Sequence, residues 1–248
     1  MTTHSTPLLY KNPQQLTPQL HEGLKLNFEV GFGFASQTNS VPLVIEEFGA
    51  TCRDYVIVFS TGEVALPLVV LGIESNHNAY VNNKGEWAAE TYIPAYVRRY
   101  PFIFSEAPGS EDLTLCIDMD AAALNRDKGL GLFDDKKEAS DVTQQGLEFC
   151  KNFHIQLQQT REFCESLEEA DLLVDQQASI TLHDGQIQNL TDFRIVDEKK
   201  FRQLPLETLQ KFHERGWMGL IYAHLISTGS MGKLVAQLKN NPAPTPSA

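Results

Sequence analysis

Two kinds of side chain in this sequence are spaced for chemistry: a pair of carboxylates and a pair of guanidinium groups. Asp118-Met-Asp120 follows directly on the apolar run Leu113–Ile117. Two carboxylates at a strand end can hold Mg²⁺ or Mn²⁺ against a phosphate. The competing reading is that Asp118 ends a strand and Asp120 caps a helix over Ala121-Ala-Ala-Leu124. No phosphate-binding loop accompanies the pair, so the structural reading is preferred.

The arginines lie in Tyr92-Ile-Pro-Ala-Tyr-Val-Arg-Arg-Tyr-Pro-Phe-Ile-Phe104. Arg98 and Arg99, set among tyrosines, suit recognition of a carboxylate, a phosphate or a peptide backbone, because guanidinium forks bind such groups bidentately. The competing reading is an internal ion pair with some of the many acids. Tyr92, Tyr96, Arg98, Arg99, Tyr100 and Trp217 form the candidate partner-binding set. No catalytic residue is assigned and no cofactor is expected.

Other motifs carry less. His183-Asp184 sits in a Gly-containing turn and reads as an Asx-type turn. His213 and His224 fall on successive closing helices, where either could be a ligand or base, and read as hydrogen-bonded structural histidines. Gly129-Leu-Gly131 has no strand before it and lacks a third glycine, so it is not a nucleotide loop. Cys52, Cys116, Cys150 and Cys164 make no CxxC pair. They are expected as free, buried thiols.

The elements that must position these residues fall into two halves. The first 25 residues are rich in Pro and Gln and read as an extended arm. About residues 41–118 hold short apolar runs separated by tight turns. Tyr55–Phe59 and Val64–Gly72 are strands, with Pro67 suggesting an edge or a bulge. Ala79–Val81 and Glu86–Ala88 flank the turn Asn82-Asn-Lys-Gly85. Pro94 suits the first position of a helix and Pro101 stops it, so the tyrosine–arginine helix has only one or two turns. Phe102–Ser105 and Leu113–Ile117 pair across Ala107–Asp112.

Residues 125–139 are charged and read as an exposed loop. Beyond them apolar residues recur every three or four positions from Val142 to Leu167, the pattern of one long helix over about residues 140–170. A late hairpin turns at His183-Asp-Gly185. Two helices close the chain, one from Pro205 to Gly216 and one from Trp217 to Ser227. The predicted class is α+β: an antiparallel β-rich meander or small barrel packed on a long helix and C-terminal helices, with a late hairpin. Residues 26–239 read as one domain and 240–248 as a disordered tail.

Composition sets outer bounds. The chain has 248 residues, 42% apolar and 21% charged, with net charge −12. That balance disfavours nucleic acid, which demands clustered cations. No apolar run is long enough to span a membrane. The first ten residues lack the basic start and apolar centre of a signal peptide, so a cytoplasmic location is expected.

Several segments together resemble the bacterial SapC family. They are Asn39–Leu43, Glu47-Phe48, Tyr55–Phe59, Pro67–Gly72, Tyr92–Phe102, Leu115–Asp118, His213–Trp217 and Ile221–Leu225. The resemblance implies a bacterial context of S-layer secretion or envelope function, and it assigns no catalytic residue. The leading expectation is a non-catalytic accessory factor that binds a protein or peptide partner. The alternatives are a divalent-metal enzyme using Asp118 and Asp120, and a partner or regulator of a flavin-dependent modifying enzyme.

Overall fold

A computed structural model describes residues 6–62, 64–106, 113–182 and 184–243. In chain order its first elements are β1 (Pro13–Gln15), α1 (Pro18–His21), β2 (Lys25–Leu26), β3 (Ser40–Pro42) and α2 (Phe48–Thr51). Then come β4 (Val56–Ser60), β5 (Pro67–Val70), α3 (Ala95–Arg98), β6 (Phe102–Glu106), β7 (Leu113–Asp118), β8 (Leu124–Asn125) and β9 (Leu130–Gly131). The second half holds α4 (Asp141–Glu169), β10 (Leu173–Thr181), β11 (Ile187–Val196), α5 (Glu198–Arg202), α6 (Leu206–Glu214), α7 (Trp217–Ser227) and α8 (Met231–Asn240). The class is α+β.

The strands divide among three antiparallel sheets ordered β1-β7-β6, β10-β11-β4-β5-β3 and β8-β2-β9. Val56 to Phe59 are all buried, as befits a strand covered on both faces. The late hairpin joins this sheet, pairing Phe193 with Ser60 and Arg194 with Phe59. β5 lies between β4 and β3 and is therefore interior, not an edge. Pro67 is tolerated because it is the first residue of the strand. The turn Asn82–Gly85 forms as expected, but only one bridge, Val81 to Trp87, flanks it.

Helix α4 ties the sheets together. Near its start Gly146 lies against the Phe102 ring of β6, where an added Cβ would come within 2.7 Å. Midway, the Thr160 hydroxyl accepts from Ile45 N–H at 3.0 Å. At its end Glu168 accepts from Ala65 N–H at 3.3 Å and pairs with Arg194 at 3.2 Å. Phe163, Cys164 and Leu167 are fully buried on its inner stripe. Each such apolar side chain contributes about 1.5–3 kcal/mol relative to exposure. This stripe, not helix propensity, therefore holds a 29-residue helix in place.

The structure departs from the sequence-based expectation in further places. Residues 13–25, read as an arm, contribute a strand to β7 and a short helix with Pro18 at its first position. Residues 121–124 make a turn leading into β8, because Leu124 pairs with Leu26 of β2. Asp120 therefore caps no helix. The charged stretch 125–139 contains β9 and the fully buried Leu132. Finally, α5 and α8 add helices beyond the expected two, and Asn241 after α8 donates to the Val81 carbonyl at 2.6 Å. The expected turns at 107–112 and at His183 lie on or beside residues outside the described ones.

Candidate functional site

Helix α3 is a single turn between Pro94 and the cis Tyr100–Pro101 peptide. Successive residues of a helical turn point about 100° apart, and the candidate residues accordingly separate. Tyr96 points inward and is buried, its hydroxyl donating to the Leu8 carbonyl at 2.9 Å. Arg99 also turns in. Its guanidinium carbon lies 4.2 Å from the Tyr96 ring centre, 4.5 Å from Phe153 and 5.6 Å from Tyr10. Aromatic faces thus stand in for a counter-ion.

Arg98 points outward and is exposed. Its Nε donates to the Ile93 carbonyl at 2.9 Å and its Nη2 to the Tyr92 hydroxyl at 2.7 Å. The Tyr92 and Phe149 rings each lie 5.3 Å from its guanidinium carbon. The expected alternative, an internal ion pair, is not what forms: among the described residues neither Arg98 nor Arg99 lies within 4.0 Å of a carboxylate oxygen. Two of the five N–H groups of Arg98 are committed, which fixes the plane and leaves three uncommitted among the described residues.

Tyr100 forms one wall of a cavity. Its ring stacks on Phe34 with centroids 4.1 Å apart. The cavity measures about 390 Å³ and lies between Leu26–Phe34 and Val97–Pro101. Phe28, Val30, Phe32, Phe34 and Ala122 line it, and Arg98 is its one charged residue. Phe28 and Val30 are 65% and 40% exposed, which is much for apolar side chains beside a hollow. The loop can carry them because Gly31, at φ 73°, turns back against Gly85, where a Cβ would come within 2.7 Å of the carbonyl oxygen.

The cavity shares Arg98 with a hollow of about 280 Å³ beside Tyr92, Phe149 and Phe153. It shares Val30–Phe32 with another of about 490 Å³ beside Trp87. Glu47 lies in the first of these and is almost wholly buried. Its carboxylate accepts from Ala95 N–H at 2.6 Å and from Val44 N–H at 3.3 Å. Burial pushes its carboxyl up, against the lowering pull of those amides, of Tyr92 and of Arg98.

Trp217 is not part of this surface. It is buried between Phe163 and Phe212, with Arg215 over its ring. Asp118 is also committed elsewhere. It is fully buried and accepts from Lys11 N–H at 3.0 Å, Asn12 N–H at 2.8 Å and the Tyr100 hydroxyl at 3.1 Å. Asp120 accepts from the Asn12 amide at 3.2 Å. Among the described residues no three His, Cys, Asp or Glu side chains cluster in a way that would hold a metal. His224 is the structural histidine expected, its Nε2 accepting from Val196 N–H at 3.1 Å.

The wall at Phe28–Phe34 and the buried Glu47 escaped the sequence reading. Alternating Gly and Phe in an otherwise polar loop was the signal for the first. For Glu47 the signal was an acidic pair, Glu46-Glu47, set between the apolar run ending at Ile45 and Phe48.

Neither curated proteins nor solved structures gave a match. The SapC family model matches residues 16–234, most of the chain, so this protein belongs to the SapC family.

Proposed function

We propose that the chain is a non-catalytic accessory factor that binds a protein or peptide partner in the cytoplasm, linked to bacterial secretion or envelope function. The secretion and envelope setting comes from the family. The binding role rests on one observation: an apolar cavity whose single charged lining residue, Arg98, pairs with no carboxylate among the described residues. Adjoining hollows that share lining residues suit an extended chain laid across the surface. Tyr92 fixes Arg98, Tyr100 walls the cavity, and Tyr96 with Arg99 braces the turn beneath. Trp217 supports the core and takes no part in contact.

We read residues 26–239 as one domain, since one of the three buried clusters draws residues from Ala35 to Leu238 and so from both halves of the chain. Among the described residues no helix is long and apolar enough to cross a membrane.

The test is selection of a random peptide display library on the full-length protein. Enriched peptides are expected to lose at least tenfold in affinity for an Arg98→Ala variant. Failure to enrich any sequence over repeated rounds, or equal binding to the variant, would remove the basis of the reading.

A further inference from the structure

The chemistry of the cavity narrows what sort of peptide it takes. The walls are rings and aliphatic groups from Phe28, Val30, Phe34, Tyr100 and Ala122. The one charged residue of its lining is Arg98, whose guanidinium is held in a set plane by Tyr92 and Ile93 at the border with the hollow beside Phe149. At about 390 Å³ the space is near the small end of ligand pockets and suits one large side chain with its backbone. A ligand complementary to it has an apolar body and a single anionic group close by.

Resting on the peptide-binding reading above, we infer that the cavity captures the C-terminal residue of a polypeptide, an apolar side chain entering between Phe34 and Val30 while the terminal carboxylate pairs with Arg98. A C-terminal apolar residue carries both features on one unit. An internal acidic residue would place its carboxylate on a different side chain from the apolar one, and both neighbouring backbone segments would have to leave the pocket. A terminal residue sends only one segment out, and the adjoining hollows beside Trp87 and Phe149 offer it a path. Guanidinium and carboxylate match geometrically as two parallel hydrogen bonds. The same pairing of apolar body and carboxylate also occurs in free aryl or aliphatic acids, and the experiment separates the two sources.

Titration calorimetry on the full-length protein uses four probes. They are acetyl-Ala-Ala-Ala-Phe with a free carboxylate, its C-terminal amide, the amidated internal version acetyl-Ala-Ala-Ala-Phe-Glu-Ala, and 3-phenylpropanoate. The free-carboxylate peptide is expected to bind at least tenfold more tightly than the other three. Arg98→Gln should erase the advantage of carboxylate over amide. Ala122→Trp, at an exposed wall position, should fill the cavity and abolish binding of both while leaving the melting temperature within a few degrees of the parent.

Equal binding of acid and amide, or preference for the internal sequence, would overturn terminal capture and leave the peptide reading standing. Equal affinity for 3-phenylpropanoate would assign the cavity to a free acid instead. No binding by any probe would refute this inference, and the display selection decides the broader reading separately.

Discussion

The Tyr100 hydroxyl donates to Asp118 Oδ2 at 3.1 Å. The same tyrosine stacks on Phe34 in the cavity wall, so a buried carboxylate sets the angle of a ring that lines the cavity. Asp118 also holds the backbone of Lys11 and Asn12, which fastens the N-terminal segment over the tyrosine–arginine turn. Asp118→Asn would turn one acceptor into a donor facing donors, at a cost of about 1–3 kcal/mol. A mere cap would lose less, since Asn caps about as well as Asp. Urea unfolding of Asp118→Asn, Tyr100→Phe and the double variant measures the pair, and additive effects would deny the coupling.

Arg98 and Arg99 are adjacent in sequence and opposite in role. Arg98→Ala removes an exposed group and should change stability by about 0.5 kcal/mol or less. Arg99→Ala removes a cation packed on Tyr96 and Phe153, together with its aliphatic stem, and should cost about 1–3 kcal/mol. Equal losses in thermal melts would show that the two are not divided this way.

Gly146 marks where α4 crosses β6. Ala would meet the Phe102 ring, and Leu would have to displace it. Gly146→Leu should destabilise by about 1–3 kcal/mol despite the better helix propensity of Leu. A gain in denaturation midpoint would contradict the 2.7 Å approach of an added Cβ to the Phe102 ring.

His224 gives a pH signature. Burial holds its imidazole down to about 4. The unfolded chain takes up that proton near the ordinary value of about 6.5, so below this it binds more protons than the folded state. The contribution is fully present above about 6.5 and is lost as pH falls toward 4, a change of about 2–4 kcal/mol. His224→Gln should flatten stability across that window, and an unchanged acid limb in urea titrations would contradict it.

The thiols should be silent in the folded protein. All four cysteines are buried and free. Burial pushes the Cys150 thiol up to about 11 and Cys164 up to about 12. Aromatic disulfide reagents should react slowly at pH 8 and with four thiols at once on denaturation. Fewer than four in unreduced, denatured protein would point to a disulfide.

Local patterning determined much of the framework. The three- and four-residue recurrence from Val142 to Leu167 specified α4, because a helix must bury one face wherever it packs. Pro94 and Pro101 bounded α3 through backbone sterics that no tertiary contact alters. The same locality set Asn82–Gly85 as a turn. Where two residues meet only through packing, the chain alone was mute. Arg98 and Arg99 have the same chemistry in the same motif, and only the packing around α3 leaves one at solvent and sets the other among the Tyr96 and Phe153 rings. Trp217 carries the hallmarks of a binding residue, yet Phe163 and Phe212 enclose it. Leu124 sits in a run of good helix formers and becomes a strand because Leu26 is there to pair with it. Phe34 and Tyr100 are separated by 66 positions, and their stacking, which builds the cavity, depends on loop closure that no local pattern encodes.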